Sequence, residues 1–264
     1  MTFSESLKSI TLPATVRAML EFTPSQWLLM AAGALIIGLS KSGLPGLGIL
    51  AVPLFASVIP AKDSTGFILP MLVAGDIIGV VMFRQHAQWK FLWKLFPWTV
   101  AGVIVGWQAL GWLANAQIRP LIGGIVLVML GLNVWRQRHP DLKDIIPTGW
   151  WFAAIIGLLA GFTTMVANAA GPIMIIYLLA MRLPPAAFIG TSAWFFLLVN
   201  SFKIPFSAQL GLVTLASLKF NAMLFPVIAL GAFIGIRFAR RIPRHIFERL
   251  VQILAAAGAV KLFF

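Results

Sequence analysis

Between Trp27 and Ile59 an apolar run is interrupted where a chain immersed in lipid has least tolerance for irregular backbone. Trp27 to Ile37 reads as helix and Ile49 to Ile59 is apolar again. Between them, Gly38-Leu39-Ser40-Lys41-Ser42-Gly43-Leu44-Pro45-Gly46-Leu47-Gly48 holds four glycines, a proline, two serines and a lysine, with Pro53 just beyond. Backbone groups freed by such a break find no water in hydrocarbon, so the break survives only where protein or an aqueous cavity surrounds it. The run covers 33 residues, or ~50 Å as straight helix, too long for one ~30 Å crossing. Each limb alone is too short to cross comfortably, so the pattern predicts two half-helices that dip into the membrane and return to the same side. Trp150 to Ala180 repeats it, broken at Gly161-Phe162-Thr163-Thr164-Met165-Val166-Ala167-Asn168-Ala169-Ala170-Gly171-Pro172. Interrupted apolar segments at corresponding positions of two halves point to a transport site.

The membrane setting follows from apolar runs at 66–83, 91–113, 118–135, 186–201, 218–236 and 245–263, each close to the ~20 residues that a spanning helix needs. The chain is 60% hydrophobic and 10% charged, with a mean hydropathy of +0.96, whereas soluble domains are nearer one quarter charged. The expected fold class is therefore all-α, a polytopic membrane helix bundle. Its net charge of +13 comes from 20 Lys and Arg against 7 Asp and Glu. These cations sit mostly between the apolar runs, as the positive-inside rule expects, which argues against a nucleic-acid partner. The bilayer and a small anion are the expected partners, and a homodimer is left open.

Without cysteine there is no disulfide, thiolate metal site or cysteine nucleophile. His86, His139 and His245 stand far apart and no phosphate-binding loop occurs, so neither a metal nor another cofactor is expected. No nucleophile with a nearby base falls inside the runs, and the chain does not read as an enzyme.

The chain contains itself twice. Gly38 and Gly48 correspond to Gly161 and Gly171 at an offset of 123, and Pro60, Gly66 and Asp76 to Pro184, Gly190 and Asn200 at 124. Lys90-Phe91, Leu95-Phe96-Pro97, Gly102 and Gly106 match Lys219-Phe220, Leu224-Phe225-Pro226, Gly231 and Gly235 at 129. Two repeats follow, at 26–138 and 150–264, joined by a cytoplasmic linker at 139–149 and preceded by an interfacial segment at 1–25 that is interrupted at Pro13. With both broken segments as hairpins, Arg84, Lys90, Lys94, Arg136, Arg138, Lys143, Arg182, Arg237, Arg240, Arg241 and Arg244 fall on one side. Lys62, Arg119, Lys203, Lys219 and Lys261 remain opposite, besides the N-terminal Lys8 and Arg17. That distribution favours hairpins and makes the repeats inverted, each with a broken or re-entrant first helix; a helix-plus-loop crossing is the alternative.

The two breaks supply the candidate site. Half-helix N-termini attract anions, Pro45 and Pro172 suit helix starts, and Ser40, Ser42, Thr163, Thr164 and Asn168 bring short neutral donors. Gly43, Gly46 and Gly171 would let backbone close on a ligand, although the same small residues also permit close helix packing. Lys41, a cation inside the break, is a candidate anion ligand, with snorkelling to the interface as its other reading. Lys203 is a second cation that either faces a cavity or ends its helix. Asp76, ten residues into its run, is the coupling candidate or else a partner to a neighbouring cation. The tryptophans read as interfacial anchors, Trp107 and Trp194 excepted because they lie within spans.

On these residues the chain resembles the TauE/SafE family, the sulfite exporters. The likeness rests on Gly38 to Pro53 and Gly161 to Pro172, on the turns Pro60-Ala61-Lys62-Asp63-Ser64-Thr65-Gly66 and Pro184 to Thr191, and on Asn200 to Lys203. It covers nearly the whole chain after about Trp27. Members move sulfur-containing anions such as sulfite, sulfoacetate and other organosulfonates. The resemblance thus implies a secondary transporter of the inner membrane, working by alternating access and exporting such an anion. An anion channel, or a carrier of another small carboxylate, shares the same sequence logic. One departure is Ser40-Lys41-Ser42 with Leu44-Pro45, where relatives are richer in glycine. The added cation favours a dianion or a carboxylate-bearing sulfonate.

Overall fold

A computed structural model describes residues 22–42, 47–139, 149–238, 252–253 and 256–264, and among these the chain is helical with no strand. Residues 1–21 of the interfacial segment, the linker at 140–148, the turn from Gly43 to Gly46, and residues 245–251 and 254–255 of the last apolar run lie outside the described residues. The helices are α1 (Pro24–Lys41), α2 (Gly48–Ala56), α3 (Ala61–Phe83), α4 (Trp89–Trp112), α5 (Asn115–Arg138), α6 (Trp150–Ala167), α7 (Gly171–Ala180), α8 (Pro185–Gln209) and α9 (Leu215–Phe238). Residues 256–261 are helical as well.

Each hairpin limb starts and stops on its own sequence. Thr23 opens α1 with a capping box, in which Gln26 accepts from the Thr23 N–H at 2.8 Å, and Pro24 fills the first turn, where its missing N–H costs nothing. At the other end the Ser42 hydroxyl donates to the carbonyls of Gly38 and Leu39. Asn168 ends α6 in the left-handed region at φ 50°, where asparagine is tolerated. Its N–H returns to the Thr164 carbonyl and that of Ala169 to Thr163, which satisfies carbonyls that would otherwise be orphaned in the membrane.

After each break the chain turns back. Gly33 of α1 lies against the Phe55 ring of α2, and Gly48 lies against Ser40, so α2 runs antiparallel along α1. In the second half the rings of Phe152 and Tyr177 stack at 6.2 Å, which returns α7 along α6. The Tyr177 hydroxyl also donates to the Phe91 carbonyl on α4 at 3.1 Å. Tyr177→Phe is expected to cost about 1 kcal/mol, seen as a fall of a few degrees in thermal unfolding of the purified protein.

Among the described residues five helices are long and apolar enough to cross a membrane: Ala61–His86, Asn115–Trp135, Trp150–Ala167, Ala186–Gln209 and Leu215–Arg237. This corrects one expectation, that both limbs of each break are too short. All 18 residues of α6 are helical with a mean hydropathy of 1.8, and 18 residues rise ~27 Å. Conversely α4, with Lys90, Lys94 and five tryptophans, is too polar on average to join the five. All its indoles but Trp107 lean outward, and Trp93 and Trp112, like Trp150 of α6, are 66%, 84% and 68% exposed, as belts at a membrane surface are.

The two halves interlock through glycine. Lipid gives apolar side chains no reason to leave it, so helices associate where small residues let backbones close. Gly161 of α6 sits on the Thr99 carbonyl and Val103 N–H of α4, and Gly102 of α4 sits on the Leu158 carbonyl of α6. Gly38 of α1 likewise sits on Ile228 and Ala232 of α9, and Gly231 of α9 on the Leu35 carbonyl of α1. Adding 123 to the α1 positions and 129 to the α4 positions converts one contact set into the other, so the sequence offsets recur as geometry. The equivalent helices α3 and α8 pair with each other instead. Gly66 meets Leu212 just past the end of α8, while Gly190 near its start meets Phe83 at the end of α3. The pair therefore runs antiparallel.

Candidate functional site

The ends of α1 and α6 and the starts of α2 and α7 meet at the middle of the α3–α8 pair, and a cavity of about 110 Å³ opens there. Ser40 and Lys41 reach it from the end of α1, Thr164 and Asn168 from the end of α6, and Gly48 and Gly171 from the starts of α2 and α7. Leu72, Asp76 and Gly79 line it from α3, and Phe188, Ser192, Phe196 and Asn200 from α8. Neither α2 nor α7 has a side-chain cap at its N-terminus. Two helix ends of positive dipole therefore face the same space, an arrangement suited to negative charge.

A continuous polar chain crosses the cavity floor. The Lys41 ammonium stands 2.7 Å from Asp76 Oδ1 and 4.4 Å over the Phe196 ring, a cation–π contact. The other carboxylate oxygen of Asp76 accepts from Asn200 Nδ2 at 2.7 Å. Asn200 Oδ1 in turn accepts from Lys203 at 3.3 Å. Lys203 also donates to Asn168 Oδ1 at 2.6 Å, to the Thr164 carbonyl at 2.7 Å and to the Thr164 hydroxyl at 3.2 Å. Asn168 Nδ2 closes the chain by donating to the Thr65 carbonyl of α3 at 2.9 Å. Asp76, Asn200 and Lys203 are each 1% exposed, so every charge here is held by a partner, as buried charges must be.

The candidates read from the sequence separate accordingly. Ser40, Lys41, Thr164, Asn168 and Gly171 line the cavity together with Asp76, whereas Ser42, Thr163 and Lys203 do not. The Ser42 and Thr163 hydroxyls donate to carbonyls of their own helices three and four residues back, a local bond open to any serine or threonine in a helix. Lys203 lies behind the wall, its donors engaged. Gly43 and Gly46 fall outside the described residues. Trp107 and Trp194 do not line the cavity either: Trp107 packs on Phe206 and Trp194 on Trp89.

Asn200, Ser192 and Phe196 belong to the wall, though sequence reasoning left them out of the site. Asn200 had a visible signal, being the repeat mate of Asp76; Ser192 and Phe196 had none. Among the described residues no group of His, Cys, Asp and Glu could hold a metal ion.

The family model described as Sulfite exporter TauE/SafE matches residues 29–262, a range that takes in both breaks and the whole cavity wall. No curated protein and no solved structure matches the chain.

Proposed function

The chain belongs to the TauE/SafE sulfite exporter family of membrane transporters, and we propose that it moves a small sulfur-containing oxyanion, sulfite or a related organosulfonate, out across the cytoplasmic membrane as a secondary transporter. The observation that carries this reading is the Lys41 ammonium beside two uncapped helix N-termini in a cavity between the repeats. An oxyanion entering there meets the Lys41 ammonium, the first-turn N–H groups of α2 and α7, and the hydroxyl of Ser192, the Ser40 hydroxyl donating instead to the Ile37 carbonyl. Together these replace its hydration shell.

Alternating access suits the interlocked packing. Inverted repeats would make α1 with α9 and α4 with α6 two equivalent bodies, and their rocking about the α3–α8 pair would open the cavity to each side in turn. Outward movement of one negative charge gains ~2.3 kcal/mol per 100 mV of inside-negative potential. Export therefore needs no chemical energy source.

Binding of sulfite, sulfoacetate, taurine, sulfate, acetate and chloride to the purified protein tests the reading. One sulfur oxyanion should bind saturably, and Lys41→Ala should weaken it by about 10- to 100-fold, the worth of one charge-assisted hydrogen bond. Asn168→Ala should weaken it as well, because the Asn168 carboxamide holds the α6 turn to α3. Binding that is unchanged in both variants, or absent for the whole panel, overturns the assignment.

A further inference from the structure

We infer that Asp76 sets the valence of the transported anion and restricts it to a monoanion. The inference rests on the transporter reading above and concerns the charge its site can accept.

Three side chains of the network are ionisable: Lys41, Asp76 and Lys203. Geometry fixes the state of Lys203. The Thr164 carbonyl, Asn168 Oδ1 and Asn200 Oδ1 are pure acceptors around its nitrogen, and three acceptors need three N–H donors, which only the ammonium form has. Neither carboxamide can be turned round to escape this count. Asn168 Nδ2 is held by the Thr65 carbonyl and Asn200 Nδ2 by Asp76. At the other end Lys41 and Asp76 form an ion pair at 2.7 Å.

Two cations and one carboxylate leave a fixed charge of +1. Among the described residues the cavity wall holds no further ionisable side chain. In net charge, to which the dipoles of α2 and α7 add nothing, one monoanion therefore brings the loaded site to neutrality, and a dianion leaves it at −1 in the membrane interior. The imbalance is decisive because desolvation rises with the square of an ion's charge, whereas attraction to a fixed site charge rises only in proportion to it. Hydrogensulfite and simple sulfonates satisfy the rule; sulfate and the doubly charged sulfoacetate do not. The sequence alone points the other way, since Lys41 reads there as an added cation that favours a dianion. Its pairing with Asp76 reverses that conclusion.

Methanesulfonate and sulfate make a matched pair of probes, tetrahedral and alike in size, differing by a methyl group in place of one charged oxygen. Competition binding to the purified full chain should show wild type preferring methanesulfonate. In Asp76→Asn, which keeps the shape of the side chain and raises the fixed charge to +2, the preference should move toward sulfate by about tenfold or more. If both anions bind and the ratio is the same in the two proteins, the valence rule fails while the site stands. If neither anion binds either protein, the site itself fails. Sulfate that binds wild type as tightly as methanesulfonate overturns the rule whatever the variant does.

Discussion

Lys203→Met should abolish transport and lower the stability of the protein by about 3 kcal/mol or more. The substitution keeps the length of the stem and removes the ammonium, leaving the Thr164 carbonyl, Asn168 Oδ1 and Asn200 Oδ1 without the donor they share. A buried acceptor stripped of its partner costs about 1–3 kcal/mol; the Thr164 carbonyl keeps the Asn168 N–H, while Asn168 Oδ1 and Asn200 Oδ1 are both stripped. Removing the ammonium also removes its own desolvation cost, which offsets part of the loss. The carboxamides cannot turn to new partners, however, because their amide nitrogens are engaged elsewhere. Lys203→Arg should not rescue. Four oxygens converge on one point, and a planar guanidinium spreads its donors over a fork. Thermal unfolding in detergent, with uptake by reconstituted vesicles, measures both effects. A methionine variant with wild-type stability would show that the network does not hold the α6 turn.

A second large effect is expected at the helix crossing. Any Cβ at Gly161 would meet the Thr99 carbonyl and the Val103 nitrogen, backbone atoms that cannot swing aside as the tip of a side chain can. Gly161→Val should therefore force α4 and α6 apart. Overpacking typically costs about 1–3 kcal/mol, and a clash with backbone lies at or beyond the upper end. Little folded protein should be recovered, as judged by the monodisperse fraction in size-exclusion chromatography. Gly124 and Gly131 on α5 are the controls. A Cβ there meets nothing within 4 Å, so alanine should be tolerated and even add up to ~1 kcal/mol through helix propensity.

These contrasts show what a sequence can carry. The offsets of 123 and 129 are visible as ordered matches of glycine, proline and lysine, and the same offsets relate the backbone contacts of Gly38 to those of Gly161. Glycine is legible because its role at a crossing depends on what it lacks. The breaks were legible for a similar reason, since backbone in hydrocarbon must be satisfied or enclosed. Side-chain partnership was not. Ser40 and Ser42 look alike in sequence, yet only Ser40 reaches the cavity, because the two residue steps between them turn the side chain by about 200°. Lys203 reads as a free cation until the fold brings the end of α6 against it. Asp76 read on paper as a coupling group or as the partner of a neighbouring cation, and the structure gives it Lys41 on one oxygen and Asn200 on the other. Nor could segment length alone tell α6 from a shorter dipping limb, because its end is set by the left-handed turn at Asn168.

The crossing of α1 with α9 also bears on how the protein is made. Gly38 and Gly231 close on each other's helices, and 193 residues separate them in the chain. At a synthesis rate of about 5–20 residues per second, α1 waits roughly 10–40 s for the helix that covers it. The matching crossing of α4 with α6 spans 59 residues, from Gly102 to Gly161, and can form several times sooner. The two crossings are alike in the finished molecule, yet during biogenesis one is early and the other must come last. Until then the polar turn at Ser40 and Lys41 is a newly inserted hairpin without its neighbour, and the insertion machinery or lipid headgroups have to shelter it.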